Sequence, residues 1–399
     1  MRLHRWILLS FMAALLHAPL ALADAVLDWN EIGLARVVAA RQGPPDGARS
    51  LAMMHVAMFD AINAVEQKYK PYAHEQRAPQ PTSAEAAGIA AAATVLTKLF
   101  PEQAPAIDSA YAAALAKLPD GDGKAAGIAL GRAVGSECLE MRANDGAGGP
   151  ATYKPKIVPG VYAPTVFPVS SEWVKVKPWF MREPNQFRPP RPPELTSAQW
   201  NRDLDEIRAI GARDSTTRTP EQTNVARFWI VTGAPSWNSI VRSLAQSRSV
   251  SLVDNARLFA LVNMAASDSF VAVFDAKYAH DFWRPVTAIR YGGAETWSPL
   301  VETPMHPEYP CAHCISAAAV ATVLEAQFGT GTVPAITMTS PTAPGVTRTW
   351  TRIDDYLEEV KNARIWGGIH YRNSTMVGEQ MGRSIGQLAV SRFMTPLRA

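Results

Sequence analysis

One lysine, two arginines and two histidines in the last third of the chain are spaced so that they can converge on one anion. They lie in three short islands: Lys277-Tyr-Ala-His-Asp-Phe-Trp-Arg284-Pro285, Tyr309-Pro310-Cys311-Ala312-His313-Cys314, and Ala363-Arg364-Ile-Trp-Gly367-Gly368-Ile-His370. Two long cationic side chains can close on an anion, and a guanidinium grips two oxygens at once with its planar fork. On one continuous helix, the step from Lys277 to Arg284 is two turns, about 10 Å along one face. Pro285 limits how far such a helix continues. Residues 312–327 are small and apolar with no Gly or Pro, and Gly329 follows. This predicts a buried helix starting near Ala312, whose first turn offers free N–H groups and a positive dipole end. His313 in that turn is placed to pass a proton to a leaving oxygen. Arg364 and His370 stand about 240° apart on a continuous helix. The Gly367-Gly368 pair allows the bend that turns both inward.

Two other uses of these residues are conceivable on residue type alone. His280, His306, His313 and His370 could supply a divalent metal site, but a lysine and two arginines beside them repel a cation. A purely structural ion network with acids such as Asp281 is the second. An oxyanion pocket accounts for the cations and the imidazoles together.

The ordered set Lys-x6-Arg-Pro, Pro-x-x-His and Arg-x5-His resembles the signature of the vanadium-dependent haloperoxidases and type-2 phosphatidic acid phosphatases. Further islands look like the bacterial secreted haloperoxidase branch: Asp28-Trp29-Asn30-Glu31, the stretch from Ala48-Arg49-Ser50 through His55 to Asp60-Ala61, and the stretch from Arg218-Thr219 to Phe228-Trp229. The resemblance implies that Lys277, Arg284 and Arg364 bind the oxygens of vanadate or phosphate, with Cys311 and Ala312 at the anion loop. It implies that His370 is the vanadium ligand or the nucleophile toward phosphorus, that His313 is the acid–base, and that Lys277 assists catalysis. Four positions depart from the family pattern: Cys311 stands for Ser, Ala312 for Gly, Ala363 for Ser, and Ser374 for the Asp that orients the histidine. Ala312 keeps its N–H, a thiol is a weaker donor than a hydroxyl, and a serine brings no charge to raise the basicity of His370.

The elements that must position these groups read as helices, so the expected class is all-α. The resemblance specifies a helical bundle of the haloperoxidase and acid phosphatase type with a Pro-rich irregular wrap. Residues 1–23 read as a signal peptide: Arg2 and Arg5, an apolar run too short to span a membrane, then Ala21-Leu22-Ala23. Residues 24–149 form an N-terminal helical half, 150–195 the wrap, and 196–399 a C-terminal helical half carrying the oxyanion site. Eleven of the 31 prolines fall in 150–193, a density no helix survives. Tyr153, Tyr162, Trp173, Trp179 and Phe180 in the same stretch argue for an ordered segment lying over the site. Helices are predicted over 48–65, from a capping box at Thr82 and Glu85 to Phe100, and over 124–144, 196–211, 251–283 with one break, 350–366 and 376–393. A helix also opens at Thr219-Pro220, and 334–344 reads as a loop. His55 and Asp60 read as core residues, and no internal repeat of fixed period is apparent.

A formal charge of +3 on 399 residues, two of the positives in the leader, argues against nucleic acid as a partner. No other stretch reads as a membrane span, so the expected location is periplasmic or secreted. There, Cys311 and Cys314 are spaced to bridge, with Cα atoms about 5 Å apart at a helix start. Cys138 is the third cysteine. The favoured activity is vanadate-dependent oxidation of halide by hydrogen peroxide. The alternatives are a soluble acid phosphatase hydrolysing phosphate esters through a phospho-histidine, with no cofactor, and a degenerate non-catalytic oxyanion binder.

Overall fold

The chain is organised around α9 (Leu252–His280), an unbroken helix of 29 residues. Ser251 caps it by accepting the Asp254 N–H. The structure is a computed structural model that describes residues 24–164, 166–248 and 250–397; the signal-like segment 1–23 lies outside them. Residues Val253 to Lys277 are buried almost without interruption, as in a helix that is apolar all round. By length and composition α9 could cross a membrane, but its apolar window is 100% buried within the protein, so it is the central core helix. The break expected within 251–283 is absent. The helix instead stops at His280, because Asp281 adopts φ 52° and its N–H closes on the Lys277 carbonyl.

Two helical layers flank α9. On one side stand α1 (Ala25–Ala39), α2 (Pro44–Glu66), α3 (Ala84–Leu99), α4 (Ala104–Ala116) and α5 (Asp122–Arg142). On the other stand α11 (Ala312–Phe328), α12 (Ile353–Trp366) and α13 (Arg372–Arg392). Between them in sequence come α6 (Ala198–Ile210), α7 (Pro220–Phe228), α8 (Ala234–Gln246) and α10 (Pro285–Tyr291). Sheet structure among the described residues is one antiparallel pair, β1 (Ile336–Thr339) and β2 (Thr347–Trp350). The architecture is all-α.

Several local expectations need correction. The α3 cap is Ser83, accepting the Ala86 N–H, rather than a box built on Thr82. Part of the stretch read as a loop is β1, and Trp350 ends β2 instead of starting α12. The helix start expected at Thr219-Pro220 is that of α7, where Thr219 and Gln222 exchange hydrogen bonds as a capping box.

A repeat is also present, although none is apparent in the sequence. On α13, Gly378, Gly382 and Gly386 let the backbone of α11 approach so closely that added Cβ atoms would lie 2.7 Å from the Cys311 carbonyl oxygen, 2.2 Å from that of Ile315 and 2.5 Å from Thr322 Cβ. On α5, Gly127, Gly131 and Gly135 do the same to α3: the distances are 2.5 Å to the Ser83 oxygen, 2.1 Å to the Ala87 oxygen and 2.9 Å to Thr94 Cβ. Ser83 and Cys311 occupy the same place, each the N-cap of the apolar helix. Ser83 donates its N–H to the Gly123 carbonyl and Cys311 to that of Ser374. The two helix pairs are built to one plan.

The Pro-rich stretch crosses α9 and is fastened to it. Buried Asp268 accepts the N–H groups of Trp179, Phe180 and Met181 at 2.6, 2.8 and 3.2 Å. Arg188 forks onto both oxygens of Asp275. Arg142 donates to the carbonyls of Lys177 and Pro178 and stacks 4.1 Å over Trp179. Nearer the site, Tyr162 N–H donates to Asp281 and Trp283 N–H to Gly160. In the core of α2, Asp60 accepts from Tyr72, Ala73 and His74, while His55 stacks on Phe259 and pairs with Asn30. Asp60 is a satisfied structural group, and His55 is a core group whose Nδ1 is buried without a partner.

Candidate active site

Lys277 and Arg284 meet by a route other than a shared helix face. Lys277 sits in the last turn of α9. The chain then turns at Asp281, and Arg284 is the N-cap residue of α10. Both are buried, at 0% and 1% exposure. Lys277 Nζ donates to the carbonyls of Pro307 (2.8 Å) and Glu308 (2.7 Å). Arg284 donates from Nε to the His306 carbonyl (2.9 Å), from Nη2 to His306 Nδ1 (3.0 Å) and from Nη1 to the Ile369 carbonyl (2.9 Å). Its Nη1 also lies 3.3 Å from His370 Nε2.

The glycine pair delivers the other two groups. Helix α12 ends at Gly367, and Gly368 takes φ +79°, with Gly211 and Pro299 packed so tightly that a Cβ at 368 would meet the Gly211 oxygen at 2.3 Å. Arg364 in the last turn and His370 beyond the bend are both buried. One guanidinium N–H of Arg364 donates to the Trp229 carbonyl, and its Nε has no partner. His313 lies in the first turn of α11, as expected; its ring hydrogen-bonds the Val231 backbone and its Nε2 is buried without a partner. Cys311 and Cys314 are joined as a disulfide with Cα atoms 5.4 Å apart. Cys311 therefore has no S–H to offer, and its N–H is already given to Ser374. It shapes the anion loop without donating to it. The N–H of Ala312, at the first helical position, remains one that its own helix leaves free.

The electrostatics tie these groups into one cluster. Burial pulls Lys277 well below the usual lysine range, and Arg284 adds to the effect. Burial lowers Arg284 to about 10, and burial with repulsion from Arg284 lowers Arg364 to about 9. His313 and His370 are pushed well down, first by burial, then by the same three cations. Both rings are neutral at pH 7. Such mutual depression marks positive charge gathered without enough negative charge to balance it. The buried carboxylate facing the cluster is Glu308, raised to about 7 by burial against the pull of Lys277 and Arg284.

Two residues outside the three islands join the site: Glu308, which the sequence does not single out, and His306, which reads there only as one of four possible metal-binding histidines. Glu308 Oε1 lies 2.7 Å from His370 Nδ1 and also accepts the Tyr371 N–H at 3.1 Å. Ser374 Oγ is 3.5 Å from the same nitrogen. The only signal was position: Glu308 stands two residues before Pro310, next to the anion loop.

The site opens toward a cavity of about 740 Å³ that reaches Arg284. Tyr162 and Val166 of the Pro-rich stretch, with Val286, Val301 and Met305, form its apolar side.

An oxyanion fits this donor set. A tetrahedral anion would be gripped by buried lysine and guanidinium N–H groups, and the unpartnered Arg364 Nε and His313 Nε2 are the kind of orphaned polar atoms such a ligand satisfies.

The fold and the C-terminal sequence are similar to those of known proteins. Residues 257–399 match the family described as the VCPO second helical-bundle domain. The vanadium chloroperoxidase of Curvularia inaequalis is 31% identical over 140 residues, 27% of this chain and 23% of that protein, so the match spans under a quarter of the curated relative. The crystal structure of a bacterial vanadium-dependent iodoperoxidase superposes with a TM-score of 0.81 at 23% identity, covering 93% of this chain and 97% of the other. An apo-type bacterial vanadium-dependent chloroperoxidase superposes with a TM-score of 0.73 at 18% identity, covering 87% and 93%. The chain has the fold of the vanadium haloperoxidases.

Proposed function

We propose that this protein, built on the vanadium haloperoxidase fold, is an enzyme that oxidises halide with hydrogen peroxide at a vanadate held by His370. The carrying observation is that Lys277, Arg284 and Arg364 are buried near enough to His370 for all three to lower its basicity, with Arg284 Nη1 3.3 Å from its Nε2. Vanadate, when bound, supplies a Lewis-acidic centre that activates peroxide toward a halide nucleophile. The three cations would hold its oxygens and draw charge from them. His370 would offer the Nε2 lone pair, since its Nδ1 is turned to Glu308. His313 is held neutral by burial and the cations, and an anion bound beside it would offset their repulsion and raise its basicity. The Cys311–Cys314 bridge keeps an oxidisable thiol away from peroxide. The apolar mouth suits an organic acceptor for the oxidised halogen.

The test pairs two assays on purified protein. One supplies vanadate, peroxide and bromide with a brominatable dye; the other supplies a chromogenic phosphate ester without vanadate. Halogenation alone supports the proposal, and ester hydrolysis alone replaces it with a phosphatase. Anion binding with neither activity reduces the protein to an oxyanion binder. A His370→Ala variant is expected to lose the activity altogether; retention would remove His370 from its role.

A further inference from the structure

We infer that Glu308 is the positioning residue of His370, standing in from a different segment for the carboxylate that Ser374 lacks. This deepens the proposed function and rests on His370 facing the bound oxyanion. Two hydrogen bonds fix the argument. A guanidinium only donates, so Arg284 Nη1, 3.3 Å from His370 Nε2, requires that nitrogen to be an acceptor. The neutral ring then carries its proton on Nδ1, which faces Glu308 Oε1 at 2.7 Å. The same oxygen accepts the Tyr371 N–H, so it is an acceptor on both counts. Ser374 Oγ, at 3.5 Å from Nδ1, is too far to compete. An oriented imidazole with its lone pair aimed into the pocket is what a single protein ligand to a metal oxyanion needs, and an acceptor behind the ring raises its basicity.

Glu308 does more than point one ring. Its N–H is held by the Phe282 carbonyl at 2.9 Å. Its carbonyl and that of Pro307 hold Lys277, and the His306 carbonyl and ring hold Arg284. Residues 306–308 thus place the lysine, one arginine and the histidine relative to one another, and the Glu308 side chain is the part addressed to His370. Beside Glu308 and Ser374 lies a small cavity of about 10 Å³, also lined by Tyr309 and Tyr371. An aspartate at 374 would extend toward the same ring nitrogen.

The experiment uses the full chain, folded and free of vanadate, with ¹⁵N-labelled histidine. The wild type is expected to show His370 as the Nδ1–H tautomer. Glu308→Ala should mix the tautomers and weaken binding of orthovanadate, measured by calorimetry, about 10- to 100-fold. Adding Ser374→Asp to Glu308→Ala should restore both, an outcome that a merely structural role for Glu308 does not produce. If Glu308→Ala does not fold, Glu308→Gln keeps the volume, and Ser374→Asp should again recover the affinity that Gln loses. Unchanged tautomer and unchanged affinity in the folded single variant would overturn the inference, as would failure of Ser374→Asp to rescue. If the wild type binds no vanadate, the proposed cofactor is lost, yet the tautomer measurement still decides whether Glu308 positions the ring.

Discussion

At the scale of single residues, the protein contains two kinds of buried ionisable group, and they respond to pH in opposite ways. Asp60 and Asp268 are raised to about 6 by burial despite three backbone N–H bonds each. Their contribution is fully present below the unfolded carboxylate range and is lost as pH rises through about 6. His55 is lowered by burial to about 3. It contributes stability above its unfolded value of 6.5 that is lost as pH falls toward 3. Because Nε2 of His55 faces the amide of Asn30 at 2.9 Å, a glutamine can fill the site without taking up a proton. His55→Gln should therefore remove a slope of about 1.4 kcal/mol per pH unit below neutrality. Urea unfolding of both proteins at pH 7, 6 and 5 reads this as a stability difference that moves in favour of the variant; a difference independent of pH would mean that His55 takes up its proton as readily in the fold as in the unfolded chain. The residues of the buried cationic cluster were legible in the sequence because chemistry demands particular side chains in a particular order. Glu308 was not, because a carboxylate that serves a histidine 62 positions away leaves no local spacing to read.

At the scale of elements, what brings the site together is how helices end and how closely they approach. Spacing alone puts Lys277 and Arg284 on one helix face, yet the left-handed Asp281 ends α9 between them. No period in the sequence announces that turn, since an aspartate tolerates it without requiring it. The α11 boundaries, by contrast, were readable from a breaker-free apolar run and its glycine stop. The fit of α11 against α13 rests on the α13 glycines. At Gly382 a methyl group would lie 2.2 Å from the Ile315 carbonyl oxygen and 2.8 Å from Ala318 Cβ. Neither a backbone oxygen nor a neighbouring helix can yield easily, so Gly382→Ala should destabilise the fold by about 3 kcal/mol. Gly331→Ala, with no atom within 4 Å of the added methyl, is the control and should change little. Thermal melts of the pair test the claim, and equal melting temperatures would show that the helices can separate at no cost.

At the scale of the whole molecule, one construction rule is used twice and chemistry is placed on one copy. The α3–α5 pair repeats the glycine contacts and cap of the α11–α13 pair, so Cys311 matches Ser83, and His313 matches Glu85. The repeat escaped sequence reading because it survives in glycine spacing and small apolar residues, which any tightly packed helix pair shares, while the reactive residues differ. The copy that carries the site gathers cations in a space from which water is largely excluded, and that arrangement is costly until an oxyanion balances it. Binding should therefore stabilise the entire fold. At a concentration 100 times the dissociation constant, orthovanadate should add about 2.7 kcal/mol, which for a chain of this length raises the melting temperature by about 3 °C. Arg364→Ala removes a cation whose Nε has no protein partner, so its own fold should suffer less than its response to the anion. Differential scanning calorimetry of both proteins with and without vanadate separates the two effects. Equal stabilisation of wild type and Arg364→Ala would place the anion somewhere other than between the three cations.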